Sequence, residues 1–442
     1  MRPTISWADL AGRTVGIWGL GTEGRATLRK LRSLGIEPVI VDARGGDIGD
    51  EHVLAADRAG IDALRRCDVV LKAPGISRYD AEVEAVAAPG GPALTSGLAV
   101  WLQSVDRSRV LCITGTKGKS TATSIAAHLA RGLGLRVFAG GNLGSLPYEP
   151  DAPDDVDLWV IETSSYQATD LASSPPVVAV TSLHPDHLPW HRGAENYFRD
   201  KLSLCTQPGA RLTVASATSP LLVERRDLLG PEVRWISPDT WPSWWAEPLG
   251  LLGEHNLVNA GIARACLEAM GVAGADDDGA LHDAAKGFEA LASRLEPVGS
   301  VGGVPFVDDN LSTNVLSALA AVDAFPGTRI ALIAGGFDRD IDYRPLADGL
   351  AERGAATRVF TVYTTGPAIQ RAVESRAAPG VDAVACNDLV DAVNRAWAWA
   401  EPDGVVLLSP AAASFDAFDD YRHRGRVFRQ AVAALADGPA GS

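Results

Sequence analysis

Cysteine is scarce in this sequence, and what there is does not pair. Five cysteines, Cys67, Cys112, Cys205, Cys266 and Cys386, are scattered over 442 residues with no CxxC spacing. A disulfide scaffold is excluded, and a structural zinc site or redox pair is disfavoured. Thiols used this way are small core residues of a reduced, cytosolic protein. No apolar run reaches the roughly 18 residues that a membrane-spanning helix needs. The opening stretch MRPTISWADLAG has no apolar core of a secretory signal, so a cytoplasmic protein is expected. Basic residues are outnumbered, 40 Lys and Arg against 55 Asp and Glu, for a formal net charge of −15. So acidic a chain does not attract a polyphosphate backbone, and nucleic-acid binding is disfavoured. Any anionic ligand must therefore be held by local Lys, Arg, backbone amides or metal. Repeats, heptads and low-complexity tracts are also missing.

What is present is an alternation of strand-like and helix-like segments, the pattern of α/β layers. Short apolar runs ending in Gly, Pro or Asp, such as PVIVDA and CDVVLKAPG, read as parallel strands buried on both faces. Three such segments follow one another, in keeping with about 150 residues per domain. The expected domains are residues 1–105, 106–295 and 296–442. DTWPSWWAEPLG (239–250) reads as a surface excursion of the second, and the tail DGPAGS as disordered.

The second segment opens on GTKGKST (115–121), set between a β run and a helix-forming run. Glycines let backbone amides face phosphate oxygens, and a helix N-terminus adds its dipole. Lys119 would reach the terminal phosphates, and Ser120 or Thr121 would ligate Mg²⁺. A bare glycine turn before a helix is the plain alternative; strand, loop, Gly-Lys-Ser and helix in that order favour phosphate. Counted from Gly115, the loop is shorter than GxxxxGK[ST], which points away from GTPases and motors.

GLGTEG (Gly19, Gly21, Gly24) also follows a strand and opens a helix, with Asp42 at the end of the next strand. That is the layout of a dinucleotide fold. The same geometry serves any diphosphate, a UDP-sugar included, and a purely structural turn remains open.

In the middle segment VIETSSYQ places Glu162, Ser164 and Ser165 at a strand end. A carboxylate there is the expected Mg²⁺ partner of a phosphate loop. SLHPDHLPWH supplies His184, Asp186, His187 and His191. Three histidines this close suggest zinc, but a Mg²⁺-nucleotide site prefers oxygen, so one histidine at most is expected on metal. Lys201 follows in a helix-like run, and composition alone makes it a solvated helix lysine.

Laid out together, these motifs resemble the Mur ligases, ATP-dependent amide-bond-forming enzymes of peptidoglycan synthesis. The resemblance runs end to end through GTKGKST, GGNLG, ETSSYQ, PDH with Lys fourteen residues on, GEHNLVNA, SRLE, DDNLSTN, GGFDRDIDY and LLSPAAASFDAF. It implies three domains: a Rossmann-like domain for a UDP substrate, a central ATPase-type domain with a mostly parallel sheet, and a C-terminal Rossmann-like domain for the incoming amino acid. It implies ATP and two Mg²⁺, domain closure over three reactants, and a monomer.

Residue by residue, Gly115, Thr116, Lys117, Gly118, Lys119, Ser120 and Thr121 fall at the nucleotide's phosphates. Asn259, Arg294 and Asp309 match other nucleotide-contacting positions. Asn142 matches an asparagine near the reacting carboxylate. Ser120, Glu162 and His187 match metal positions. Lys201 matches a lysine carried as a carbamate, which reverses its bland reading. Lys119, Asn142, His187 and Lys201 are thus the expected catalytic set. Thr22, Glu23, Asp42, Arg44, Pro74 and Gly75 fall in the UDP region, with Ser164 near the substrate. Thr313, Arg339, Ser414 and Tyr421 fall where the amino acid is gripped.

The pattern departs from the family at Lys117, at Pro189 and Trp190, where HLP replaces the usual HLD, and at Leu311, where D-glutamate-adding members carry lysine. WGLGTEGRA, SSYQ, RDKLSL, RLEPVGSVGG and DYRHRGRVF resemble the smaller branch that adds L-glutamate to UDP-N-acetylmuramoyl-L-alanine, whose product a separate epimerase inverts. A D-glutamate ligase, a folate-type polyglutamate ligase and a non-catalytic nucleotide-binding protein are the competing readings.

Overall fold

In the computed structural model, residues 2–240, 244–415 and 417–436 are described. The tail at 437–442, expected to be disordered, and residues 241–243 of the excursion lie outside them. The described part of the excursion is not wholly at the surface. Trp245, Ala246 and Leu249 are buried, while Trp244 is half exposed and Asp239, Glu247 and Gly250 are exposed.

Each third of the chain carries one six-stranded sheet. The first contains β1 (Val15–Trp18), β2 (Val39–Asp42), β3 (Gly46–Ile48), β4 (Glu51–Ala55), β5 (Val69–Lys72) and β6 (Ala93–Thr95), in the order β3-β4-β2-β1-β5-β6. The second contains β7 (Val110–Thr114), β8 (Val137–Gly141), β9 (Leu158–Glu162), β10 (Val177–Val180), β11 (Leu212–Ser216) and β12 (Val233–Ile236), in the order β12-β11-β10-β7-β9-β8. The third contains β13 (Glu296–Val301), β14 (Val304–Asp308), β15 (Arg329–Ala334), β16 (Thr357–Thr361), β17 (Val381–Ala385) and β18 (Gly404–Leu408), in the order β13-β14-β18-β15-β16-β17. All pairings are parallel except β3 with β4 and β13 with β14.

The apolar runs explain the strands. VLCIT, LWVIE and VVAV are buried throughout, as parallel strands covered by helices on both faces must be. β15 shows the alternation behind this. Ile330 and Leu332 join one core cluster, and Ala331 and Ile333 the cluster on the opposite face.

The chain forms two compact units. One comprises the residues up to Leu249 with Asn256–Phe288; the other comprises Gly250–His255 with the residues from Glu289 on. The first two sheets lie in the same unit and share a core, in which the Trp101 and Trp159 rings meet at 5.3 Å. In the second sheet β7 lies between β10 and β9, so connections leave it in opposite directions. Open α/β sheets bind ligands at such a switch point, at the carboxyl ends of the strands.

Candidate active site

The GTKGKST loop leaves the carboxyl end of β7, at that switch point. β7 ends at Thr114 and the Lys119–Gly132 helix follows at once. Gly115 has φ +140° and Gly118 φ +87°, both in the left-handed half of backbone space. A Cβ on Gly115 would lie 2.2 Å from Thr181 Oγ1, and one on Gly118 2.6 Å from Asn259 Oδ1, so neither position admits a larger residue. The end of β10 braces the loop. Lys117 N donates to Ser182 Oγ at 2.8 Å, Thr116 N to the Ser182 carbonyl at 2.8 Å, and Thr181 Oγ1 to the Lys117 carbonyl at 2.5 Å. Lys119 folds back, its Nζ donating to the Thr116 carbonyl at 3.1 Å. Ser120 and Thr121 lie in the first helical turn, where amides and the helix dipole favour an anion. Asn259, from a distant helix, abuts the loop at Gly118.

Glu162 ends β9, the neighbour of β7. Its Oε1 accepts from Asn142 Nδ2 at 2.7 Å, and the Asn142 amide donates to its carbonyl at 2.9 Å. Its Oε2 is buried with no hydrogen-bond partner. A buried carboxylate oxygen left this way is costly unless a ligand satisfies it.

Lys201 approaches from the Ala194–Leu202 helix. It is 2% exposed, and its Nζ donates to the Gly115 carbonyl at 2.8 Å. Burial and then the charge of Lys119 push its amine well below the ordinary lysine range, against the opposing pull of Asp186 and Glu162. The helix lysine is therefore a core residue facing the phosphate loop.

The three histidines separate. His187 is exposed, has φ 53°, and lies 5.0 Å from the Tyr166 ring. Partial desolvation of the ring, together with the charges of Lys201, Lys117 and Lys119, lowers its pKa against the pull of Asp186, and burial lowers that of half-buried His184. Burial opposes ionisation of Asp186, but Lys117, His187 and Lys201 outweigh it and hold the carboxyl below its usual range. His191 is fully buried between Asp200 Oδ2 at 2.7 Å and Ser165 Oγ at 3.0 Å, so its ring nitrogens are taken by the protein. No group of three or more His, Cys, Asp or Glu placed to hold a metal exists among the described residues. The expected metal set of Ser120, Glu162, His187 and Lys201 contains a single carboxylate. It fits a hard cation that takes most of its oxygens from phosphate and water, and it does not fit zinc.

The first sheet presents its own glycine loop. Gly19 has φ +94°, and a Cβ on Gly24 would lie 1.9 Å from the Gly19 carbonyl, so the helix opening at Thr22 packs directly on the loop. Asp42, expected in the UDP region, braces this loop. Its Oδ2 accepts from Leu20 N at 2.8 Å and its Oδ1 from Arg44 N at 3.2 Å, with the Arg44 guanidinium 3.6 Å away. Glu23 Oε1 accepts from Gln167 Nε2 at 2.6 Å while its Oε2 is buried without a partner. Burial pushes this carboxyl up to about 7. Ser164 spends its hydroxyl on a capping box with Gln167. Pro74 and Gly75 follow β5, and the Gly75 carbonyl accepts from Trp190 Nε1 at 3.0 Å.

In the second compact unit Asp309 is buried. It accepts from Ser312 Oγ at 2.5 Å, Ser409 Oγ at 2.7 Å and Leu295 N at 3.3 Å. Burial raises it to about 6, against the pull of these hydroxyls and of Arg294. Arg339 stands 5.5 Å over the Phe415 ring. Thr313 lies just before the Val315–Asp323 helix, Ser414 is buried, and Tyr421 opens the C-terminal helix.

Comparison with known proteins agrees with this layout. The sequence pattern of the Mur ligase middle domain matches residues 113–228, and that of the Mur ligase, glutamate ligase domain matches residues 293–412. A Micromonospora protein named UDP-N-acetylmuramoyl-L-alanine--L-glutamate ligase is 38% identical, covering 98% of this chain and 99% of its own. A protein of the same name from Xanthomonas euvesicatoria is also 38% identical, over 96% of each chain. The chain belongs to the Mur ligase family. Solved structures share the fold at low identity. MurF from Acinetobacter baumannii superposes with a TM-score of 0.57 at 14% identity, over 99% of this chain and 93% of that one. MurF from Thermotoga maritima, solved with ADP, gives 0.56 at 15% identity, over 95% of each.

Several residues of this Mur ligase escape sequence reading. Gln167 ties Glu23 to the Ser164 turn; the S-x-x-Q capping spacing was its only signal. Lys72 and Asp170, both fully buried, meet at 3.1 Å, with Arg78 Nε on the same carboxylate at 2.5 Å. Arg424, 1% exposed, donates to the side chain of Asn310, to its carbonyl at 3.0 Å, and to the Ala412 and Ala413 carbonyls at 3.2 and 3.3 Å. Asn310 in turn donates to the Tyr421 carbonyl.

Proposed function

We propose that this Mur ligase joins L-glutamate to UDP-N-acetylmuramoyl-L-alanine with ATP as the energy source, yielding ADP and phosphate. The observation that carries the reading is the convergence of Lys119, Lys201 and the partnerless Glu162 oxygen on one phosphate loop. The names of the full-length relatives support the substrate, and the ADP bound to the Thermotoga MurF supports the nucleotide.

The chemistry follows from a leaving-group problem. The carboxylate of the L-alanyl arm cannot expel hydroxide, so it first takes the γ-phosphoryl group of ATP and becomes an acyl phosphate. The amine of glutamate attacks that carbonyl carbon, and phosphate leaves with the C–O electron pair. The loop amides, the helix N-terminus and Lys119 hold the triphosphate. Asn142, fixed by Glu162, is placed to orient the reacting carboxylate. A bound Mg²⁺ would supply neutralisation of phosphate charge. Ser120, Glu162 and His187 would hold it, joined by Lys201 as its carbamate. Complete burial of Lys201 beside the loop supports that modification, because it leaves an amine where a hard cation needs an oxygen.

In the first sheet, Thr22, Glu23, Asp42, Arg44, Pro74 and Gly75 take the UDP end, with Asp42 acting through the loop it braces. Arg294 and Asp309 serve the nucleotide. Thr313, Arg339, Ser414 and Tyr421 serve glutamate. We assign these roles to domains spanning residues 1–105, 106–295 and 296–442. A separate epimerase would act on the product.

Stereochemistry is the decisive test. Both enantiomers present an amine and two carboxylates, but fixing the amine for attack sends the α-carboxylate and side chain to different walls. Leu311 removes a cation from one wall, and an unpaired carboxylate there costs about 1–3 kcal/mol; the resemblance to L-glutamate-adding relatives, not Leu311 itself, sets which enantiomer is disfavoured. Turnover of UDP-N-acetylmuramoyl-L-alanine and ATP with each pure enantiomer should show kcat/KM about ten- to a hundredfold higher for L-glutamate. A preference for D-glutamate would refute the branch assignment; no ligation with either would refute the function.

A further inference from the structure

The HLPW stretch departs from the family pattern, and the structure gives that departure a job. Leu188–His191 is a single helical turn entered from His187 at φ 53° and left through Arg192 at φ 54°. Two non-glycine residues in the left-handed region mark a turn whose surroundings must hold it in place. Trp190 is what the surroundings hold. Its Nε1 donates to the Gly75 carbonyl at 3.0 Å, and its own carbonyl accepts from Ser77 Oγ at 2.6 Å. Both partners belong to the segment after β5 in the first sheet. Its ring stacks on Tyr166 at 4.3 Å with 23° between the planes, and the His187 and His191 rings also lie beside Tyr166, at 5.0 Å and 5.6 Å. A second fastening lies close by: Tyr79 OH donates to Asp200 Oδ2 at 3.0 Å, the oxygen that also receives His191.

We propose that Trp190 is a positioning residue for the UDP-linked substrate, locking the Pro74–Gly75 loop of the first sheet in register with His187 of the second. This rests on the ligase reading above. The indole suits the task because it offers one N–H donor and a flat face on the same rigid ring. A proline at 189 preforms the turn that presents it. The lock joins a loop assigned to the UDP end to the turn that carries His187, assigned to the metal. Loosening it should therefore misplace one substrate of the three. A residue needed only for stability would not discriminate among them.

The test compares Trp190→Phe, which keeps an aromatic face and removes the donor, with Ser77→Ala and with the double variant. Equilibrium binding of UDP-N-acetylmuramoyl-L-alanine is measured by calorimetry, and KM for each of the three substrates by phosphate release. Trp190→Phe should weaken binding of the UDP substrate and raise its KM by about three- to tenfold. The KM values for ATP and glutamate should stay within about twofold, and the double variant should show less than the product of the single effects. Trp190→Ala, which loses the stack as well, should weaken binding further. The inference is overturned by unchanged affinity in both single variants, by equal shifts for all three substrates, or by a wild type that does not bind the UDP substrate. Binding without turnover in the wild type counts against the ligase reading alone.

Discussion

Lys201 donates from a side chain that is 2% exposed to the carbonyl of Gly115, a residue 86 positions earlier in the chain. An amine at the foot of a phosphate loop, out of water, is poorly used as a cation. Lys201→Ala should lower kcat by about a hundredfold or more, the scale of a lost preorganised electrostatic group. Added acetate should restore part of the activity by filling the space of the carbamate. Full activity without any additive would remove Lys201 from the mechanism.

Lys119 makes the complementary prediction. Its Nζ curls back to the Thr116 carbonyl, the posture of a side chain waiting for phosphate. Lys119→Ala should abolish ligation, a loss of several kcal/mol in transition-state stabilisation, while the thermal midpoint moves by no more than a few degrees. Near-normal turnover would dismiss the loop as a phosphate site.

Glu23 predicts a pH dependence of stability. Its carboxyl is raised from an ordinary 4.5 to about 7, mainly by burial. The folded protein thus binds a proton that the unfolded chain has released in this window. Stability is fully present below about 4.5 and falls as pH rises through about 7. Glu23→Gln keeps an acceptor for Gln167 and cannot ionise. Between about pH 5 and pH 8, denaturant titrations should show the wild type losing up to about 3 kcal/mol relative to this variant. Parallel curves would mean that Glu23 is ionised in the fold.

Arg424 predicts a split among Michaelis constants. Its guanidinium ties the Asn310 segment to the Ala412–Ala413 segment, and both lead into the residues assigned to glutamate. Lysine cannot reproduce that fork. Arg424→Lys should cost about 2–3 kcal/mol of stability and raise KM for glutamate about tenfold, with the KM for ATP little changed. Equal changes in both constants would reduce Arg424 to a packing residue.

How much of this could be read from sequence depended on range. The strands were legible because parallel strands buried on both faces must be apolar throughout, as VLCIT and VVAV are. The two glycine loops were legible because left-handed backbone next to a helix start leaves glycines at fixed spacing. Lys201 was legible only by resemblance. A lysine in a helix is solvated by default, and its burial depends on a contact that spacing does not encode. Asp42 shows the reverse. Its place at the end of the second strand is legible, but spacing does not encode that its oxygens hold the Leu20 and Arg44 amides. Gln167, Lys72, Asp170 and Arg424 share one reason for being missed: each is a polar residue whose partner is brought close only by the folded sheets.

The second sheet also has a consequence for handling the protein. All of its strands point the same way, and Thr114, Glu162 and Thr181 crowd the edge where they end. The edge where the strands begin carries none of the assigned residues. Its turn at Pro153–Asp155, just ahead of β9, is exposed. A peptide tag, a fluorophore attachment point or a surface tether placed in that turn would sit at the far end of the strands from the phosphate loop. The same insertion after Thr114 or Glu162 would destroy the site.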